Sequence, residues 1–596
     1  MTLICDPALR LRLIAAAQEA VAPDIVIRGG RVWNAFTGEV TAADVVICGD
    51  RIAKVGEWRG PCGEATQVID ATDRVLVPGY IEPHTHPWPF ANPLSLAEAA
   101  VSRGTTCLVY DQLMMYLAMG ETSLARVTRT LSAAALPHVY WLARIASQSR
   151  FADEARLFAP DVIRRQLGAA EYLGTAEMTR WSDLLDPERA LPLLAVIEDA
   201  RRLGKINDGH MAGASPRRLA ALATTGIRSC HEAINAEEAL GRLRQGLWVL
   251  LRNSSLREDL AALLPCLDAT AFHDRLAFTT DGASEPHLAD HGFIDHLVAI
   301  ALDAGVAANV AYRMATLNPA NFLGLGDDLG AVAPGRVADV NLLSDLDRPK
   351  PLAVVCRGRL VARDGSLTVA EPSATFRWAE AYAGSRPEIP DWGADMFLLP
   401  ATAANPFPAG RLESAAITRE TPERLEAKGG GLWPTSPEAL VLAATDRGGH
   451  WITRGVVLDM ASDLEALATT YTTSAGVLLL GRSPEAMAEA LARLKRLGGG
   501  TVLRSAGREW CEFGFPMAGI HATGSFAAGA DAARAFASSL RASGYRHADP
   551  KYTLLFLTCD MLPEVRATEA GWVRIKTMEV LHPAETPGGD RKTDRG

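Results

Sequence analysis

Eight short apolar runs alternate with alanine- and leucine-rich stretches through the middle of this chain. They fall at Val75–Ile81, Thr105–Tyr110, Val139–Leu142, Leu173–Glu177, Ile206–His210, Ile227–His231, Leu247–Leu251 and Leu276–Thr280. Between them, stretches such as Leu96–Val101, Pro216–Thr224 and Ala236–Gln245 carry helical spacing. Eight βα units in about 250 residues predict a TIM barrel, a fold that places its chemistry at the C-terminal ends of the strands.

The ends of these runs are where polar residues collect. The first leads through Pro78-Gly79 into His84-Thr85-His86. On a strand, side chains two residues apart share a face, so both imidazoles converge. The fourth run ends in Glu177, the fifth in Asp208-Gly209-His210, the sixth in Cys230-His231-Glu232 and the eighth in Asp281. One histidine at a strand end is weak evidence, because a buried histidine is more often a satisfied core residue. Six candidate ligands at one end of a barrel, His84, His86, Glu177, His210, His231 and Asp281, point to a metal site. Four imidazoles with two carboxylates suit zinc, manganese or iron. His138, His273, His291 and His296 read as structural or solvated, and His287 is kept as a pocket candidate because it follows Asp281 closely.

Short strands broken by glycine, Asp24–Trp33 and Ala43–Val55 before the barrel and Gly335–Leu342 and Leu352–Val361 after it, predict a small β-sandwich built from both flanks. The expected division is residues 1–74 for an N-terminal helix and the first part of the sandwich, 75–330 for the barrel and 331–385 for the rest of the sandwich. A Pro-, Ala-, Gly- and Thr-rich linker follows at 386–435, then a C-terminal α/β domain at 436–596. The whole is an α/β protein. At 596 residues the chain exceeds what one core organises. A net charge of −10 without a Lys/Arg cluster argues against nucleic acid. No apolar run reaches membrane-spanning length and no signal-peptide pattern opens the chain, so a cytoplasmic protein acting on a small molecule is expected. The nine cysteines are scattered singly and read as reduced, buried thiols. The stretch Glu585–Gly596, charged and glycine-rich, predicts disorder.

The motifs Gly79–His86, Ala176-Glu177-Met178, Asp208-Gly209-His210, His231-Glu232, Met314–Ala320 and Gly330–Gly335 resemble the adenine deaminase family of the amidohydrolase superfamily. Gly498-Gly499-Gly500, Phe515–Gly519 and Tyr552–Leu557 resemble landmarks of that family's C-terminal domain. The resemblance implies two divalent cations, manganese or iron by family habit. His84, His86, Glu177 and Asp281 would hold one, and Glu177 would bridge to a second on His210 and His231. It further implies Asp281 as the general acid/base, Glu232 as a substrate contact or ligand orienter, hydrolysis of a non-peptide C–N bond, and a homodimer or larger assembly. The C-terminal domain would border the substrate of its own or a neighbouring subunit.

Three departures concern the substrate. Asp111-Gln112-Leu113-Met114 stands where the family has Asp-Pro-His-Glu, Thr472–Gly476 keeps only Ser474 of His-Asp-Ser-His-Asn, and Asp281–Pro286, containing Ser284, replaces Asp-Asp-Arg-His-Pro. After His86 comes Pro87-Trp88-Pro89-Phe90 in place of Ile-Glu-Ser-Ser. Trading Glu, His and Ser for Trp88, Phe90, Leu113 and Met114 predicts a less polar pocket that suits a modified aminopurine better than adenine itself. The alternative is a lactam or aryl amide hydrolase for a bulkier, more apolar substrate. A catalytically dead metal-binding scaffold is a third reading, weakened by the survival of all six ligand positions.

Overall fold

In the computed structural model, residues 3 and 5–587 are described. Residues 588–596 of the expected disordered tail lie outside the described residues. Glu585 itself is anchored, exchanging backbone hydrogen bonds with Ile452 and pairing with Arg454 at 2.7 Å.

Eight parallel strands form the centre. Tyr80–Thr85, Thr105–Asp111, His138–Ala143, Tyr172–Thr175 and Ile206–Asn207 make one sheet, and Ser229–Cys230, Trp248–Arg252 and Leu276–Thr279 another. A parallel bridge between Thr85 and Asp281 joins them on one side. The Arg228 N–H donates to the Asn207 carbonyl at 2.9 Å on the other. Seven of the eight runs take their places as single strands; the fourth, fifth and sixth end early, so Glu177, His210 and His231 stand just past their strands rather than within them.

The run Val75–Ile81 divides in two. Val75–Pro78 pairs antiparallel with Val340–Leu343, and the barrel begins at Tyr80. Gly79 sits at the break because a Cβ there would come within 2.1 Å of Thr106 Oγ1. Through this pairing the flanking segments meet in one nine-stranded sheet that runs from Ser366–Leu367 to Arg51–Val55, with Gln67–Asp70 alongside Ile25–Trp33.

The stretch 386–435 is not an irregular linker. It contains the strands Phe407–Leu412, Thr418–Glu423, Leu425–Lys428 and Gly431–Pro434. The first two extend the eight-stranded C-terminal sheet, with Phe407, Leu412 and Leu425 buried in its core. Proline and glycine here mark turns and sheet-edge positions, which composition alone does not separate from a linker.

The C-terminal region covers the barrel mouth of its own chain. Helix Phe526–Ala542 presents Gly529 to the Phe90 carbonyl so closely that a Cβ would lie 2.2 Å from that oxygen. Among the described residues, no helix is long and apolar enough to cross a membrane.

Candidate metal centre and pocket

The barrel brings all six candidate ligands to one place. His84 is fully buried in the first strand, and His86 follows it. His86 Nε2 and His84 Nε2 lie 3.3 and 3.4 Å from Asp281 Oδ1. Glu177 divides its carboxylate between two groups of imidazoles. Its Oε1 is 3.7 Å from His86 Nε2, while Oε2 is 2.6 Å from His210 Nδ1 and 3.2 Å from His231 Nε2. Three overlapping sets result: His84 with His86 and Glu177, Glu177 with His210 and His231, and His84 with His231 and Asp281.

These residues fit a divalent cation. His84 Nε2 is buried with no hydrogen-bond partner although a carboxylate oxygen faces it. A lone pair opposed to an anionic oxygen is satisfied by a cation between them, and mixed imidazole and carboxylate donors suit zinc, manganese or iron.

Comparison with known proteins gives the family. Residues 75–361 match the amidohydrolase family and residues 415–579 match the adenine deaminase C-terminal domain. A Halalkalibacterium halodurans protein provisionally named an adenine deaminase is 32% identical over 576 residues, covering 96% of this chain and 97% of the relative. A Cenarchaeum symbiosum protein named adenine deaminase is 30% identical, covering 98% and 97%. One from Methylobacterium nodulans with the same name is 30% identical, covering 96% and 100%.

The chain belongs to the adenine deaminase family of amidohydrolases. As in any amidohydrolase, the electrostatics around the ligands decide what the centre can hold. Burial pushes the Asp281 carboxyl up, but the neighbouring imidazoles of His84 and His86 and the charges of His231 and Arg252 hold it well below the usual range. Glu177 behaves alike, its burial outweighed by Arg144 and His210. Burial lowers His84, and Asp208, Asp281 and Glu177 together carry it well above its ordinary value. The cradle favours positive charge at its centre, which a proton or a metal ion can supply.

Four further residues, none of them assigned a role from the sequence, support the site. Asp208, just ahead of His210, places Oδ2 2.7 Å from His84 Nδ1 and fixes that ring from behind. Arg144, at the end of the third barrel strand, donates to Asp111 Oδ2 at 2.5 Å and to both the carbonyl and carboxylate of Glu177. Arg252, ending the seventh strand, donates to Glu232 and lies 3.2 Å from Asp281 Oδ2. Tyr552, from the C-terminal region, donates to the Gly282 carbonyl beside Asp281. Strand-end position is the only signal for the two arginines, while Asp208 and Tyr552 lie within segments that resemble the family but that do not single them out.

Glu232 stands 3.8 Å from both His210 Nδ1 and His231 Nε2, held by Arg252 and by Arg257 at 3.1 Å. It borders a cavity of about 320 Å³ whose floor is His86, Glu177, His210 and Asp281. Ile417, Leu555, Phe556, Met561 and Leu562 of the same chain's C-terminal region form the apolar wall.

The pocket candidates separate. Trp88 lines this cavity, stacked on His86 with centroids 4.8 Å apart and its Nε1–H donating to the Gly282 carbonyl at 2.7 Å. Leu113 and Met114 do not reach it. They line a narrow space behind His86 and Trp88, because a helix starting at Leu113 turns them under the loop. Phe90 points away, packing on Phe513, Phe515 and Phe536 between barrel and C-terminal region. Ser284 precedes helix Glu285–His291 and opens on a separate cleft. His287, on that helix, meets His291 and His296 instead. Ser474 hydrogen-bonds Thr472 at 3.4 Å within its own turn and lines neither of the cavities beside His86.

Proposed function

We propose that this chain deaminates an adenine-like ring or a modified aminopurine, holding two divalent cations on His84, His86, Glu177, His210, His231 and Asp281. The observation that carries the reading is the divided Glu177 carboxylate, one oxygen toward His86 and the other toward His210 and His231. Cations bound there lower the pKa of water and polarise the atom under attack.

The chain's own residues supply the rest. Asp281, held ionised well below the usual carboxylate range, accepts a proton at Oδ1 or Oδ2 and returns it to the departing nitrogen. Its φ of +49° is a left-handed conformation that costs on the order of 1 kcal/mol for a residue with a side chain. The turn is fixed by Thr85 Oγ1, which donates to the Asp281 carbonyl at 2.8 Å, and by Trp88 and Tyr552 on the Gly282 carbonyl. Glu232, ionised and braced by two arginines, accepts from a ring N–H of the bound base. The apolar wall excludes water and favours a substrate with more apolar area than unmodified adenine.

A product screen tests this reading. Across adenine, modified aminopurines, lactams and aryl amides, ammonia or an amine should be released from an aminopurine, with unmodified adenine a poor substrate. Ring-opened acids from lactams without any aminopurine turnover would replace the deaminase reading with the lactam and amide alternative.

A further inference from the structure

Outside the pocket, three histidines gather on two consecutive helices. His287 and His291 are four residues apart on helix Glu285–His291 and therefore share a face. His296 comes from the first turn of helix Ile294–Asp303. The ring centroids are 4.8 Å apart for His287–His291, 5.1 Å for His291–His296 and 6.2 Å for His287–His296. Three imidazoles bound tetrahedrally at ordinary Zn–N distances put their centroids about 5 Å apart. The observed triangle is close to that size.

The rings are also unclaimed. His287 Nε2 is buried without a partner. Burial, then His291, lowers the pKa of His287. Burial, then His291, His287 and Arg103, brings His296 down to about 4, so both rings are neutral at pH 7 and offer lone pairs. Glu258, Asp290 and Asp549 act on His287 from the acidic side, and a carboxylate or water could complete a fourth position.

We propose that His287, His291 and His296 form a further metal site, one for zinc, independent of the six-ligand centre. The nitrogens are not drawn to one point in the structure, so binding has to turn the rings. Imidazole-only donor sets favour zinc, nickel and copper over manganese or magnesium, and zinc is the ion we assign. The site has a structural consequence. Its first helix begins four residues after Asp281, at Glu285, which accepts from Lys551 Nζ at 3.0 Å and from the Phe90 N–H at 3.1 Å. Zinc there would stiffen the segment that carries the Asp281 turn.

The test loads metal-free enzyme with zinc, removes the excess by gel filtration and counts zinc per chain. His291 is exposed, so His291→Ala should fold normally. It is expected to retain one equivalent fewer than the parent, with His296→Ala matching it. Zinc should raise the melting temperature of the parent more than that of either variant. Equal zinc per chain and equal thermal shifts in the parent and His291→Ala would overturn the proposal.

Discussion

Trp88 stacks on His86 with the two planes 17° apart, while its indole N–H holds the carbonyl next to Asp281. One side chain therefore orients a histidine of the centre and the turn carrying the aspartate. Trp88→Phe keeps an aromatic face and loses the hydrogen bond, and Trp88→Ala loses both. Stacking is worth about 1 kcal/mol and a hydrogen bond about the same. We expect kcat to fall about fivefold in the first variant and about thirtyfold in the second, measured as steady-state turnover at saturating metal. Equal activity in all three proteins would show that the stack only fills space.

Tyr552 ties the C-terminal region to the same turn. Tyr552→Phe removes one donor from the Gly282 carbonyl and leaves the packing around it unchanged. A fall in kcat of about fivefold with unaltered metal content is expected, since one lost hydrogen bond is worth about 1 kcal/mol. A matching loss of metal would instead make Tyr552 a support for the ligands.

Arg144 is buried between Asp111 and Glu177. Removing one partner of a buried ion pair typically costs about 3–5 kcal/mol. Arg144→Met is expected to unfold at markedly lower denaturant and to bind metal more weakly, with Arg144→Lys between it and the parent. Metal titration followed by urea unfolding reads both effects.

Burial raises the Glu232 carboxyl, but Arg252, His210 and His231 bring it down to about 2, below its unfolded value near 4.5. A depressed folded pKa contributes stability that is complete above the unfolded value and disappears as pH falls through the folded one. Metal-free enzyme should therefore lose stability as pH drops from about 4.5 toward about 2. Glu232→Gln should be less stable at pH 7, with the gap to the parent closing over that interval. Denaturant midpoints across the range check this, and a gap that stays constant would contradict it.

The cluster of six candidate ligands was legible because each ends a run of apolar residues and His84 and His86 share a strand face. Pocket walls were not. Phe90 follows Trp88 by two residues, yet the loop turns it into the contact with Phe513, Phe515 and Phe536. Leu555, Phe556, Met561 and Leu562 reach the cavity from beyond the C-terminal sheet, a juxtaposition that no local pattern encodes. Arg144 and Arg252 have the composition of solvated side chains, and only tertiary burial beside carboxylates distinguishes them. The strands in 386–435 were hidden by prolines, three of which, Pro408, Pro422 and Pro434, lie within the strands themselves.

The count of metal ions per chain, taken together with turnover, tests the account most directly. Parent enzyme should hold two divalent cations at the barrel centre, in addition to any zinc on the His287 helix. Glu177→Gln, which alters the carboxylate shared between both sets of imidazoles, should lose metal and activity together. A Glu177→Gln enzyme with full metal content and full turnover, or a parent that turns over equally well after its metals are stripped, would contradict it.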